Sequence, residues 1–329
     1  MAAPEPPAPS APPLPPPPAE TTLLLRFGEL TLKSTAVRKR FVTLLKRNIE
    51  AAFARAKLDC LIRDDWGHLY IDTTDLEAAS RICARTFGLV SVSPVAVVPS
   101  GDLEVVARAA AAYALRHLPP PARTFAVRPR RTGTHSYTST ELGRVCGASI
   151  SEAAAAAGHP LGVRLDGPDY EVEVEVRQSL TYLYARRVAC AGGMPLGSAG
   201  KVVCVIREGE GVSDRDARAA WMLMKRGARP IFAVAGDPAA GAPSPHAGAA
   251  LDKALSWAPG SPCAVAADPA EPSFLRALAD RHQAAAFTIG TLARAGVLDG
   301  PDELADGYPT FHPLLTMTDV EVARVPLDA

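Results

Sequence analysis

Between Val202 and Gly227 the chain reads VVCVIREGEGVSDRDARAAWMLMKRG: an apolar run, a short polar loop, then apolar residues at helical spacing. A loop joining a strand to a helix N-terminus is a setting for phosphate, because glycines admit a close backbone approach and the helix end favours an anion. The residues that would serve such chemistry are Arg207, Gly209, Gly211 and Ser213, but they are interleaved with Glu208, Glu210, Asp214 and Asp216. Two unit charges about 4 Å apart interact by roughly 4 kcal/mol at an effective dielectric of 20, so a carboxylate facing a triphosphate opposes its binding. Arg207, Arg215 or a metal would offset part of that repulsion.

A second chemistry is written in positive charge. The whole chain of 329 residues is formally neutral, yet residues 1–190 hold 23 Lys+Arg against 19 Asp+Glu, and residues 191–329 hold 12 against 16. Residues 22–57 alone carry nine cations against Glu29 and Glu50. That is a local field suited to a polyanion. Lys33, Arg38, Arg40, Lys46 and Arg47 make up much of it. A second cluster lies in FAVRPRRTGTHSYTSTELGR, where Arg128, Arg130, Arg131, His135, Thr138 and Arg144 offer guanidinium, imidazole and hydroxyl donors to phosphate oxygens. Tyr137 in the same stretch can stack on a base or pack beneath a helix. His135 and His246 have no His or carboxylate neighbour at metal spacing, so both read as polar surface residues. The six cysteines are scattered singly, which argues against a zinc site and a disulfide framework, and no metal site is expected.

Several elements must position these residues. TTLLLRFGELTL is a strand candidate. The next segment places Val37, Phe41, Leu44, Leu45, Ile49 and Phe53 near helical spacing, with Arg38, Lys39, Lys46 and Arg47 on the wet side. Two short strands around a Trp66-Gly67 turn, a helix from Asp75 to Thr86 and the strand LVSVSPVAVVP complete a βαββαβ order, that of a ferredoxin-like unit. A helix over 102–117, the strand FAVRPRR, and a helix opened by Thr138 and Glu141 as a capping box and stopped by Gly158 come next. In the hairpin that follows, Tyr170, Val172, Val174 and Val176 alternate with Glu171, Glu173, Glu175 and Arg177, which predicts one buried and one wet face. The strands KVVCVI, PIFAV, CAVAA and AAFTIG then alternate with helices, the first being RDARAAWMLMKRG, and imply a short parallel, doubly wound sheet. Residues 1–20 hold ten of the 31 prolines and read as a disordered arm, either a passive tail or a proline ligand for a partner. No apolar run is long enough to span a membrane and the N-terminus lacks a signal-peptide pattern, so a cytoplasmic protein is expected.

From about Leu23 to Val322 this order resembles the tRNA 4-thiouridine synthetases, sulfurtransferases that also serve thiamine synthesis in some bacteria. RFGELTLKSTAVRKRF and FGLVSVSPV are similar to the two ends of their N-terminal domain. FAVRPRRTGTHSYTSTELGRVCGASI with VRLDGPDYEVEVEV resembles their tRNA-binding THUMP domain. GMPLGSAGKVVCVI and AWMLMKRG bracket the place of their pyrophosphatase loop, of the form Ser-Gly-Gly-x-Asp-Ser, which grips ATP phosphates during adenylation of the target uridine. Here the bracket encloses a longer loop without a Gly-Gly pair, and the segment FTIGTLARAGVLDGPDEL keeps only fragments of the family's polar loop, such as Thr288 and Gly290. The family's sulfur relay uses a catalytic-domain cysteine expected after the segment similar to FHPLLTMTDVEV, where this sequence has none.

The resemblance therefore implies α+β and α/β architecture in four segments. These are a proline-rich tail (1–21), a ferredoxin-like domain (22–98), a THUMP domain (99–190) and a Rossmann-like parallel α/β domain of the pyrophosphatase-loop type, degenerate at its loop (191–329). It implies tRNA as partner, a homodimer as assembly, and one of two activities. Either the chain binds tRNA without ATP-dependent adenylation and sulfur transfer, or it is an ATP- and magnesium-dependent tRNA sulfurtransferase with an altered loop and a cysteine supplied by a partner chain. The first predicts no cofactor.

Overall fold

In the computed structural model of the chain, the described residues are 13–28, 34–65, 68–260, 262–294 and 297–327. Lys33, the Trp66-Gly67 turn and the proline tail up to Pro12 lie outside them. In chain order the elements are β1 (Glu20–Arg26), α1 (Thr35–Arg55), β2 (Leu61–Asp65), β3 (His68–Asp72), α2 (Leu76–Ala84) and β4 (Ser91–Val98). Then come α3 (Leu103–His117), β5 (Thr124–Thr132), α4 (Ser139–Ala156) and the hairpin arms β6 (Tyr170–Arg177) and β7 (Leu180–Tyr184). The remainder holds β8 (Lys201–Ile206), α5 (Val212–Lys225), β9 (Arg229–Asp237), α6 (Pro245–Leu255), β10 (Ala264–Ala267), α7 (Pro272–His282), β11 (Ala286–Thr288) and the short α8 (Asp319–Ala323). Residues 1–23 with 93–187 form one compact unit, and residues 24–92 with 188–329 form another.

In the first unit the end of β4 pairs antiparallel with β7, β7 antiparallel with β6, and β6 parallel with β5. Small side chains let α3 lie close: Ala107, Ala110 and Ala111 share a core with Phe125, Leu142, Ile150, Val172 and Val174. Asp102 caps α3 by accepting the Glu104 and Val105 N–H groups, both at 3.0 Å. The Thr138 hydroxyl accepts the Glu141 N–H at 3.1 Å and starts α4, which stops just before Gly158, whose φ of +78° suits only glycine well.

The alternation along β6 holds for its apolar residues but not for all the polar ones. Glu175 and Arg177 are each only 5% exposed. The cross-strand neighbour of Glu175 is Tyr182, and the Arg177 guanidinium stands over that ring at 6.0 Å. The face expected to be wet is thus covered at this end, and Glu175 and Arg177 bond each other as a buried ion pair.

In the second unit Val42, Leu45, Ile49 and Phe53 form the buried stripe of α1, and β2 and β3 pair as an antiparallel hairpin. The order β1-α1-β2-β3-α2-β4 is the βαββαβ order read from the sequence. The last third is a parallel sheet ordered β10-β9-β8-β11, with the two-residue strand Thr310–Phe311 at its far edge. Alternate residues of β8 face opposite ways: Val202, Cys204 and Ile206 pack with Ala217, Ala220, Ala250 and Leu251, while Val203 and Val205 pack with Leu275, Leu278 and Ala279. Helices therefore cover both faces, the doubly wound arrangement. One boundary differs from the sequence reading: α5 begins at Val212 rather than Arg215, because Gly211 adopts the left-handed conformation and serves as its N-cap. Among the described residues no helix is long and apolar enough to cross a membrane.

The buried pair yields a stability prediction. Arg177→Met leaves Glu175 buried without a counter-charge and should cost about 3–5 kcal/mol in urea unfolding, whereas Glu175→Leu combined with Arg177→Met should recover most of that loss. A single variant as stable as the parent chain would show that the pair is not what holds this end of the sheet.

Candidate RNA interface and nucleotide loop

The connection from β8 to α5 is short, residues 207–211, and turns on Gly209 at φ +140° and Gly211 at φ +70°. Its acids do not converge on one point. Glu208 reaches across to α6: its Oε1 lies 2.6 Å from His246 Nδ1, and its Oε2 accepts the Ala247 N–H at 2.9 Å. Ser244, the N-cap of α6, makes no side-chain cap, so Glu208 supplies the anion at that helix end. The Ala247 N–H and the His246 ring hold the Glu208 carboxyl below its ordinary range. Asp214 pairs with Lys253 at 3.1 Å, and Arg215 with Asp299 at 2.9 Å.

Asp216 is 1% exposed and is bound from several sides. It accepts the Arg207 backbone N–H at 2.9 Å, the Arg207 guanidinium at 2.9 and 3.0 Å, and the Gly290 N–H at 2.7 Å. Burial raises its pKa, and the bonds from Arg207 and Gly290 pull against that rise. The Ser213 hydroxyl turns inward and donates to the Arg207 carbonyl at 2.6 Å. Of the four acids, Glu210 alone keeps an exposed carboxylate without a partner among the described residues. Glu208, Asp214 and Asp216 thus answer to partners inside the fold. His246, read from sequence as an unaccompanied surface residue, has a carboxylate partner from a segment 38 residues away. Neither it nor Lys253, Asp299 and Gly290 carries a local signal of these roles.

The basic residues fall into two sets, one in each compact unit. On α1, Arg40 and Arg47 are exposed and Arg38 half-buried; none has a partner among the described residues, whereas Lys46 pairs with Asp64 at 2.8 Å. In the other unit, Arg128 and Arg130 extend toward the glutamates of β6. Arg128 pairs with Glu171 and also donates to the Leu165 carbonyl at 2.8 Å, and Arg130 lies 3.9 Å from Glu173. Arg131 donates to the Gly133 carbonyl at 3.2 Å. His135 sits 3.2 Å from the Thr132 carbonyl and beside the Tyr137 ring, with centroids 5.4 Å apart. Tyr137 is buried and its hydroxyl donates to the Gly101 carbonyl at 2.6 Å, which favours packing over stacking on a base. Arg144 is exposed on α4 without a partner among the described residues, and Thr138 is engaged as the helix cap.

Burial pushes the thiols of Cys146 and Cys190 up to about 12 and that of Cys60 to about 11, so they stay protonated at neutral pH. Cys204 is buried in β8, and burial raises its thiol as well. Cys263 is half-buried with its sulfur 3.7 Å from His282 Nε2. Among the described residues no group of three or more His, Cys, Asp or Glu is placed to hold a metal.

Comparison with known proteins bears on this arrangement. Residues 22–93 match the family model described as ThiI ferredoxin-like domain, and residues 100–186 match the THUMP domain. A probable tRNA sulfurtransferase of Methanosarcina acetivorans is 37% identical over 241 residues, covering 72% of this chain and 57% of that protein. A tRNA sulfurtransferase of Desulfurococcus amylolyticus is 35% identical over 212 residues, covering 64% of this chain and 41% of that protein. The chain thus spans a little over half the length, or less, of these curated relatives. A Pyrococcus horikoshii protein superposes with a TM-score of 0.74 at 21% identity, covering 92% of this chain and 97% of that one. A 4-thiouridine synthetase, solved as an RNA complex with bound ATP, gives 0.72 at 21% identity, covering 92% and 83%. The fold is therefore that of a ferredoxin-like and a THUMP domain followed by a Rossmann-like α/β domain, and the chain belongs to the ThiI-related family of the tRNA sulfurtransferases.

Proposed function

We propose that this chain binds tRNA through its THUMP domain and the basic face of α1, and that its β8–α5 loop does not grip ATP for adenylation. The THUMP match and the cations Arg38, Arg40, Arg47 and Arg144, which have no partner among the described residues, support the first half. The Arg–Glu pairs of β5 and β6 do not oppose it. Exposed pairs are worth about 0–1 kcal/mol, and a phosphate can replace the glutamate as partner of Arg128 or Arg130.

The observation that carries the second half is Asp216. A phosphate loop works by leaving backbone N–H groups and a cation aimed at solvent. Here the Arg207 N–H, the Arg207 guanidinium and the Gly290 N–H are all directed to one buried carboxylate. Glu208 likewise occupies the start of α6. Arg207, the cation at the mouth of the loop, is committed to Asp216 instead of a phosphate.

A second reading, an active ATP-dependent tRNA sulfurtransferase, is favoured by one feature: Gly209 and Gly211 still give the entrance to α5 two positive-φ turns through which a backbone can approach a ligand.

Both halves are tested on one sample. Anisotropy titration with tRNA across a salt series should show binding that weakens steeply with salt, and Arg130→Glu with Arg131→Glu should lower affinity roughly tenfold and flatten the salt slope. Loss of all binding at low salt in the parent chain would refute the RNA half. Calorimetry with MgATP should show no binding, and release of pyrophosphate in the presence of tRNA would establish the second reading instead. The loop geometry is checked by pH. The Glu208 carboxyl is held below its unfolded value, so its contribution is present above the ordinary carboxylate range and disappears as pH falls through its folded-state pKa. Glu208→Gln should therefore lower Tm at pH 7, with the deficit shrinking as pH falls below the ordinary carboxylate range; a deficit that does not change with pH would mean that the carboxylate charge is not the stabilising element.

A further inference from the structure

Within the second unit a cavity of about 370 Å³ opens between α1, α2 and the loop that follows α6. Its walls are fixed by bonds between distant segments. Arg55 donates to the Leu255 carbonyl at 2.9 Å and the Ala258 carbonyl at 2.8 Å, and Asn48 donates to the Leu196 carbonyl at 3.0 Å. The lining is largely apolar, with Ala52, Leu58, Ile82 and Trp257 among its residues. Its size falls at the lower end of the range for small-molecule sites, about 300–1,000 Å³.

The charge of this cavity is one-sided. Arg81 and Arg85, four residues apart at the C-terminal end of α2, both line it, and no carboxylate does. Neither guanidinium has a hydrogen-bond or ion-pair partner among the described residues. Residues at this spacing share a helix face, so both forks can reach one ligand group. Two guanidiniums over an apolar chamber match an anion that carries two charges and a non-polar body, and guanidinium pairs best with carboxylate or phosphate through paired N–H···O bonds. A singly charged carboxylate would satisfy one of them.

We propose that this cavity is a binding site for a small organic phosphate monoester, whose dianionic head pairs with Arg81 and Arg85 and whose body lies against Ala52, Ile82 and Trp257. The same chemistry is carried by a free mononucleotide and by the 5′-phosphorylated end of an RNA. The site is separate from the β8–α5 loop, and it stands whether or not that loop takes ATP.

Binding of AMP, of inorganic phosphate, and of a short RNA with and without a 5′-phosphate is measured by calorimetry on the full chain. AMP should bind saturably and more tightly than inorganic phosphate. Arg81→Glu with Arg85→Glu should weaken AMP at least about tenfold, with Tm unchanged because both side chains lack partners. Ala52→Trp, which fills the chamber, should abolish AMP binding while leaving inorganic phosphate weakly bound. If the phosphorylated RNA binds more tightly than AMP and than its 5′-hydroxyl counterpart, and loses that advantage in the arginine variant, the physiological source is an RNA end; if AMP is the tighter, it is a free nucleotide. AMP binding that is indifferent to both arginines and to Ala52→Trp, or no binding of AMP or phosphorylated RNA at millimolar concentration, overturns the proposal.

Discussion

Asp216 fastens three parts of the α/β fold at once: the last turn out of β8 through Arg207, the first turn of α5 on which it sits, and the segment after β11 through the Gly290 N–H. A carboxylate with 1% exposure is costly unless its lone pairs are answered, and here they are answered by a guanidinium and two backbone N–H groups. The approach is so close that a Cβ on Gly290 would stand 2.4 Å from the Arg215 carbonyl carbon and 2.6 Å from the Asp216 nitrogen. Strand end, helix start and the crossing loop are thus locked as one corner. This corner lies at the carboxyl end of β8, the side on which doubly wound proteins ordinarily receive ligands.

The distribution of cations follows a different logic. On β5 and β6 the arginines and glutamates face one another across a parallel strand pair, and their fields largely cancel beyond a Debye length. On α1 the cations outnumber the single acid of the helix, Glu50, so the long-range field arises there. In the other compact unit Arg144 stands on α4 six residues beyond the N-cap Thr138.

Local patterns were legible and distant partnerships were not. The βαββαβ order, the Thr138 cap, the Gly158 stop and the parallel α/β alternation were all readable because each depends on residues within a few positions of one another. The roles of the loop acids were hidden because their partners come from far along the chain: His246 and Ala247 for Glu208, Lys253 for Asp214, Gly290 for Asp216. The strand alternation misled at Glu175 and Arg177 for the same reason, since the covering Tyr182 belongs to the other arm of the hairpin. Gly211 marks an intermediate case. A glycine before an apolar helix signals a start, but three polar residues after Val212 made the helix look shorter than it is.

The contact made by Arg55 has a consequence for the way α6 ends. The end of α6 leaves carbonyls without helical partners, as every helix does. Those of Leu255 and Ser256, with that of Ala258 beyond them, receive their donors from a guanidinium 200 residues earlier, at the last turn of α1. A positive charge there also complements the helix dipole. The C-terminal end of α6 is thus completed by a side chain made about 200 residues before it, so the two segments share one cap in the folded chain.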